Sequence, residues 1–218
     1  AKSLFLNRLS LTDENLKYTM KKSIFLLLSL CLSMQLSAQN WDINTVKTIN
    51  KWDVHGLSRG LSASGVILPV GVPAAMGIYA LIKKDQPLLK DAIYIGTSVI
   101  EAVGITYATK HIIGRDRPFV KYPDKIHVYG APDADSPSFP SGHTAAAFSL
   151  ATSLSITYPK WYVIAPSAVW ACGVGFARIN QGVHYPSDVV AGAAIGVGCA
   201  FANIYINRWL NKILFKKK

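Results

Sequence analysis

The residues of this chain best suited to chemistry fall in three short clusters: KHIIGRDRP from Lys110 to Pro118, SFPSGH from Ser138 to His143, and ARINQGVHYPSD from Ala177 to Asp188. Lys110 and Arg117 are seven residues apart, two helical turns, so both can project from one face of a helix before Pro118 turns the chain away. Arg178 supplies a third cation, and His143 and His184 supply two imidazoles. Fixed cations beside paired histidines suit a phosphoryl group, whose non-bridging oxygens carry charge that positioned donors stabilise in the transition state.

Each residue type has a physical role in that chemistry. Lys110, Arg117 and Arg178 provide positive charge, and the two arginines can grip oxyanions with a planar fork. Pro-Ser-Gly-His stands directly before an apolar run, so the backbone amides of Ser141, Gly142 and His143 would open a helix toward an anion, with Gly142 allowing close approach. Two histidines then permit a two-step displacement. One attacks phosphorus to give a phosphohistidine; the other protonates the leaving alkoxide and later activates water. His184 is the better nucleophile, because Asp188 lies one helical turn on and can hold its second ring nitrogen. His143 is left as the general acid.

Such a site needs elements that carry all three clusters to one place. Five apolar segments can do so: 61–82, 92–113, 143–158, 161–176 and 189–206, each rich in Ala, Gly, Val and Ile and nearly free of charge. The expected fold is an all-α transmembrane bundle of about five spans. Gly- and Ala-rich faces such as AGAAIGVG, 191–198, allow its helices to approach closely. Residues 39–60 carry Trp41 and Trp52 among polar neighbours and read as an amphipathic helix at the membrane interface. Ahead of them, MKKSIFLLLSLCLSMQLSA (20–38) has the basic, apolar and small-residue parts of a cleaved signal peptide; its apolar stretch of about 13 residues is short for a span of about 20. Residues 1–19 read as an upstream extension, leaving 39–218 as the functional domain.

Charge orients the bundle. With the mature N-terminus outside, Lys83, Lys84, Lys90, Lys160, Arg208, Lys212 and Lys216–Lys218 all collect on the inner side, as the positive-inside rule requires. The three chemical clusters then share the outer face, which implies a bacterial inner-membrane protein with its site toward the periplasm. The net charge of +11 is distributed as such flanks, not as a basic face interleaved with aromatics, and excludes nucleic acid as a partner. Cys31, Cys172 and Cys199 sit in apolar runs without metal-ligand or disulfide spacing.

The three clusters resemble the K-x6-R-P, P-S-G-H and (S)R-x5-H-x3-D signature of the type 2 phosphatidic acid phosphatase and vanadium haloperoxidase superfamily, over roughly 61–206. The resemblance implies a helical bundle, phosphomonoester hydrolysis through histidine without a metal or other cofactor, and often a lipid phosphate substrate. Carried over residue by residue, Lys110, Arg117, Ser141, Gly142 and Arg178 bind phosphate, His143 is the acid, His184 the nucleophile and Asp188 its partner. Ala177 stands where the pattern often has Ser. A secreted acid phosphatase of the same superfamily and a haloperoxidase are the alternative readings. A non-enzymatic scaffold would leave the Lys, Arg and His clusters without a task. Oligomeric state is not legible.

Other polar residues read more simply. His55, His111 and His127 fall off the shared face, Arg115 and Asp116 form a local pair, and Glu101 satisfies itself between helices or stays protonated.

Overall fold

Long apolar helices joined by short turns follow from the capping residues between them. In a computed structural model, the described residues are 39–129 and 135–214, with side chains described over 41–129 and 135–208. The expected signal peptide and upstream extension lie outside the described residues. The elements are α1 (Gln39–Asn50), α2 (His55–Lys83), α3 (Gln86–Ile113), the single turn α4 (Pro118–Lys121), α5 (Gly142–Thr157), α6 (Trp161–Asn180) and α7 (Pro186–Leu214). All five apolar segments are helical. Their ends differ from the sequence reading because caps, not hydropathy, set them.

The clearest correction concerns 83–91, the stretch between the apolar segments 61–82 and 92–113. The break is only a tight turn: Lys84 takes a left-handed conformation, Asp85 accepts the Leu88 amide at 3.0 Å, and Pro87 occupies the first turn of α3. Likewise α6 runs past Phe176 to Asn180, so Arg178 stands on the last helical turn and not in the following loop. The interfacial helix stops at Asn50, with Trp52 in the turn beyond it; Trp41 and Trp52 are both exposed.

Helix α5 touches α2, α3, α6 and α7, and its row of small residues makes that possible. A Cβ built on Gly196 would stand 2.3 Å from the Ala145 carbonyl oxygen, and one on Gly192 would stand 2.5 Å from that of Ser141. No side chain can be accommodated against backbone at that distance. Gly196→Ala should therefore force α7 away from α5 and cost about 1–3 kcal/mol. Thermal unfolding in detergent measures it, and an unshifted midpoint would show that the contact is not tight.

Hydropathy is distributed outward. Val66, Ile67, Val70, Ile78, Ile82, Ile100, Val169 and Phe201 are exposed, while Ser58, Ser98, Ser149 and Asn203 are buried. Among the described residues, α2, α6 and the stretch Pro186–Arg208 of α7 are long and apolar enough to cross a membrane. Helix α5, with 16 residues, is about 24 Å long. Helix α3 carries Glu101 within its span.

Candidate active site

The helix order puts the ends of α3 and α6 beside the starts of α5 and α7. Short connections and long-range hydrogen bonds hold them there: Ser138 N–H donates to the Arg115 carbonyl at 2.7 Å, and Ser141 N–H donates to the Asp188 carbonyl at 3.0 Å. After α6 the chain folds back on itself, with the Val183 and His184 amides both 3.3 Å from the Arg178 carbonyl. Gly182 makes that reversal possible. It has φ +73°, and a Cβ there would meet the His127 carbonyl oxygen at 2.8 Å.

The three expected cations come to this end of the bundle, each anchored by protein acceptors. Lys110 Nζ donates to the Pro137 carbonyl and, at 3.4 Å, to that of Ser138. Arg117 donates through Nε to the Ser136 carbonyl at 2.8 Å and through Nη1 to that of Val183 at 3.2 Å. Arg178 Nη1 donates to Ser62 Oγ at 2.6 Å and Gln181 Oε1 at 2.9 Å, while its buried Nε has no hydrogen-bond partner among the described residues. Ser62 and Gln181, which orient this guanidinium, carried no signal in the sequence.

His184 is 2% exposed. Burial first, and then the positive charges of Arg178, Arg117 and Lys110 and the neighbouring His143, push its imidazole well below its ordinary value of 6.5. Both effects favour the neutral form of the ring. The sign of the linkage follows: the folded state refuses a proton that the unfolded state takes up, so this stabilisation is full above 6.5 and declines as pH falls below it. The ring resonances of His184, assigned by comparison with a His184 variant, should show no titration between pH 8 and 6.5. A midpoint at or above 6.5 would contradict the described environment.

Asp188 is fully buried, and its Oδ2 lies 3.5 Å from His184 Nδ1 without forming a hydrogen bond. The stronger contacts of this carboxylate are others: Oδ2 accepts the Tyr185 amide at 2.9 Å and Oδ1 accepts Arg115 Nη1 at 2.6 Å. The expected pair of Arg115 with Asp116 is thus corrected. Arg115 instead bridges Asp188 to Asp42 of α1, 2.8 Å from its Nη2, and its guanidinium packs 3.9 Å over the Tyr185 ring. Buried carboxylates recruit the cation that can reach them both, and sequence adjacency does not decide which one that is.

The anion nest is also modified. Ser141 gives its amide to the Asp188 carbonyl, so that amide is not among those facing a ligand, and its hydroxyl shares a 2.9 Å hydrogen bond with Thr144 Oγ1. Gly142 and His143 open the first turn of α5, where backbone amides have no acceptor within the helix. His143 is half-buried on this turn.

The remaining histidines serve local packing. His55 stacks on Tyr129 with ring centroids 3.5 Å apart, and His111 meets Tyr107 edge-on. His127 pairs its amide and carbonyl with Asn50. Glu101 Oε2 is buried with no hydrogen-bond partner, so an interhelical hydrogen bond through that oxygen is not made.

A helical, membrane-type bundle with a cluster of cations and histidines at one end is a defined class of protein. Residues 91–212 match the family model of the PAP2 superfamily, and the chain belongs to that superfamily. It is 28% identical to the undecaprenyl-diphosphatase of Sulfolobus acidocaldarius, over 84% of this chain and 87% of the relative. It is 33% identical to the lipid A 1-phosphatase of Rhizobium etli over 47% of this chain, spanning less than half of that relative, 44%. The crystal structure of Aquifex aeolicus LpxE is similar to it at a TM-score of 0.61 and 26% identity, over 76% of this chain and 95% of that one.

Proposed function

We propose that this chain is an integral-membrane phosphatase that hydrolyses the phosphate monoester or diphosphate of a lipid, with His184 as nucleophile, His143 as general acid and base, and Asp188 as the partner of His184. The observation that carries this reading is the way hydrogen bonds gather the three clusters around the buried His184: Arg117 bonds the Val183 carbonyl, the His184 amide bonds the Arg178 carbonyl, and Ser141, two residues before His143, bonds the Asp188 carbonyl. The similarity to proteins named as lipid A and undecaprenyl phosphatases supports a lipid substrate over the secreted acid phosphatase and haloperoxidase alternatives.

The reaction balances as follows. The Nε2 lone pair of His184 attacks phosphorus, the bond from phosphorus to the ester oxygen breaks, and the leaving alkoxide takes a proton from His143. The negative charge of bound phosphate favours the protonated form of His143 that this step needs. Water then gives a proton back to His143 and attacks the phosphohistidine, releasing inorganic phosphate and restoring the neutral His184. Throughout, Lys110, Arg117, Arg178 and the amides of Gly142 and His143 hold the oxygens, a task that elsewhere falls to metal ions. In this reading α2, α3, α5, α6 and α7 are five spans, α1 lies at the interface with its exposed Trp41 beside it, and the site faces the periplasm from a bacterial inner membrane. The Lys- and Arg-rich inner turns and the outward apolar faces support that orientation.

A panel of phosphatidate, phosphatidylglycerophosphate, isoprenyl diphosphate and lipid A phosphate, assayed in detergent, tests both chemistry and substrate. Phosphate release should survive EDTA and be blocked by vanadate, which occupies a phosphate pocket. Loss of activity on chelation would defeat the metal-free mechanism, and turnover of water-soluble esters alone would defeat the lipid assignment.

A further inference from the structure

Helix α1 lies wholly outside residues 91–212, yet it contributes one of the most buried charges in the protein. Asp42 is 1% exposed and has three donors: Ser187 N–H at 3.0 Å, the Ser187 hydroxyl, and Arg115 Nη2 at 2.8 Å. A carboxylate is buried this completely only when donors repay its desolvation. Two of these donors, Ser187 and Arg115, also meet at the residue beside His184, since Arg115 Nη1 donates to both Ser187 Oγ at 2.7 Å and Asp188 Oδ1 at 2.6 Å.

One guanidinium therefore serves two buried carboxylates, and the consequence falls on His184. We infer that Asp42 is a positioning residue for the proposed reaction: by holding one arm of Arg115, it prevents that cation from pairing with both oxygens of Asp188, and so keeps Oδ2 turned toward His184 Nδ1. The inference rests on the reading of His184 as nucleophile. Without Asp42, the fork of Arg115 is free to close on Asp188 in bidentate fashion, drawing charge away from Oδ2, which stands 3.5 Å from His184 Nδ1. The apolar cluster of Ile43, Val46, Ile126, Ile179 and Tyr185 seats α1 so that Asp42 reaches this point. Catalytic competence is then tied to the docking of α1, a segment the family match does not include.

The test uses the full chain in detergent, with Asp42→Asn as an isosteric variant and Arg115→Lys as a second, since lysine lacks the planar two-armed fork with which Arg115 holds both carboxylates. Each should lower kcat about 10–100-fold, the range for groups that orient a functional side chain through a contact. Inhibition by vanadate should be unchanged, because Lys110, Arg117 and Arg178 are untouched. The loss should also vanish when Asp42→Asn is made in an Asp188→Asn background, whose residual rate is the reference. A merely structural role predicts the same loss in both backgrounds, with weaker vanadate inhibition and a lower melting temperature. Either that pattern or an unchanged kcat overturns the inference. If His184→Ala is active as well, it is the proposed function that fails; if only Asp42→Asn is silent, the positioning role alone fails.

Discussion

Replacing His184 with alanine should abolish phosphate release from every lipid phosphate tested, by on the order of 10⁵-fold or more, the scale on which removal of a nucleophile is felt. The ring is buried and set among cations, and it is the group the proposed mechanism places at phosphorus. Binding should persist, because the oxygens are held by Lys110, Arg117 and Arg178. Vanadate or inorganic phosphate binding by titration calorimetry separates the two effects. Rapid quenching after mixing with a ³²P-labelled substrate should show acid-labile, base-stable label on the wild-type protein and none on His184→Ala. Label that survives the substitution would move the nucleophile to His143 or dismiss a covalent intermediate.

Arg178→Ala is expected to have the next largest effect, a fall in kcat of about 10²–10³-fold, as for loss of one preorganised oxyanion donor. Its Nη1 is pinned by Ser62 and Gln181, and its buried Nε has no hydrogen-bond partner, so the fork is aimed before any ligand arrives. Arg178→Lys should recover little of the loss. A lysine keeps the charge but cannot bond Ser62, Gln181 and a phosphate oxygen with one planar group. Steady-state kinetics on the preferred lipid phosphate distinguish the cases: full activity in the lysine variant would show that only charge matters at this position.

These two results would also weigh the roles of charge and geometry in the site. In the proposed mechanism His184 serves because burial and cations favour its neutral form, and Arg178 because Ser62 and Gln181 hold it in place. Neither property belongs to the residue alone. A histidine with the same sequence spacing on a solvated helix would titrate near its ordinary value, and a solvated arginine would give up rotamer entropy on binding.

The five helices and the three clusters were legible because each is a local property. Apolar runs bounded by Pro186, Gly142 and Asp85 specify helices within a few residues of chain, whereas His184 stands in the turn before α7, so the helical step expected between it and Asp188 is not made. Helix ends were less legible. The turn at Lys84–Asp85 depends on a left-handed residue and a side-chain cap that hydropathy does not register.

What tertiary structure alone decided is the pairing of buried charges. Arg115 could have paired with Asp116 beside it; it reaches Asp188, 73 residues on in the chain, and Asp42, 73 residues before it. Ser141 was expected to face the anion, but the close approach of α7 at Gly192 brings the Asp188 carbonyl within reach of its amide. Ser62 and Asp42 had no local pattern to mark them. The sequence by itself determined which residues could do the chemistry and which segments would be helices, because both follow from side-chain type and spacing along the chain. Which carboxylate each cation serves, and which amides remain for a ligand, follow from how the helices pack, since in a low-dielectric interior a charge takes whichever partner the fold brings within about 3 Å.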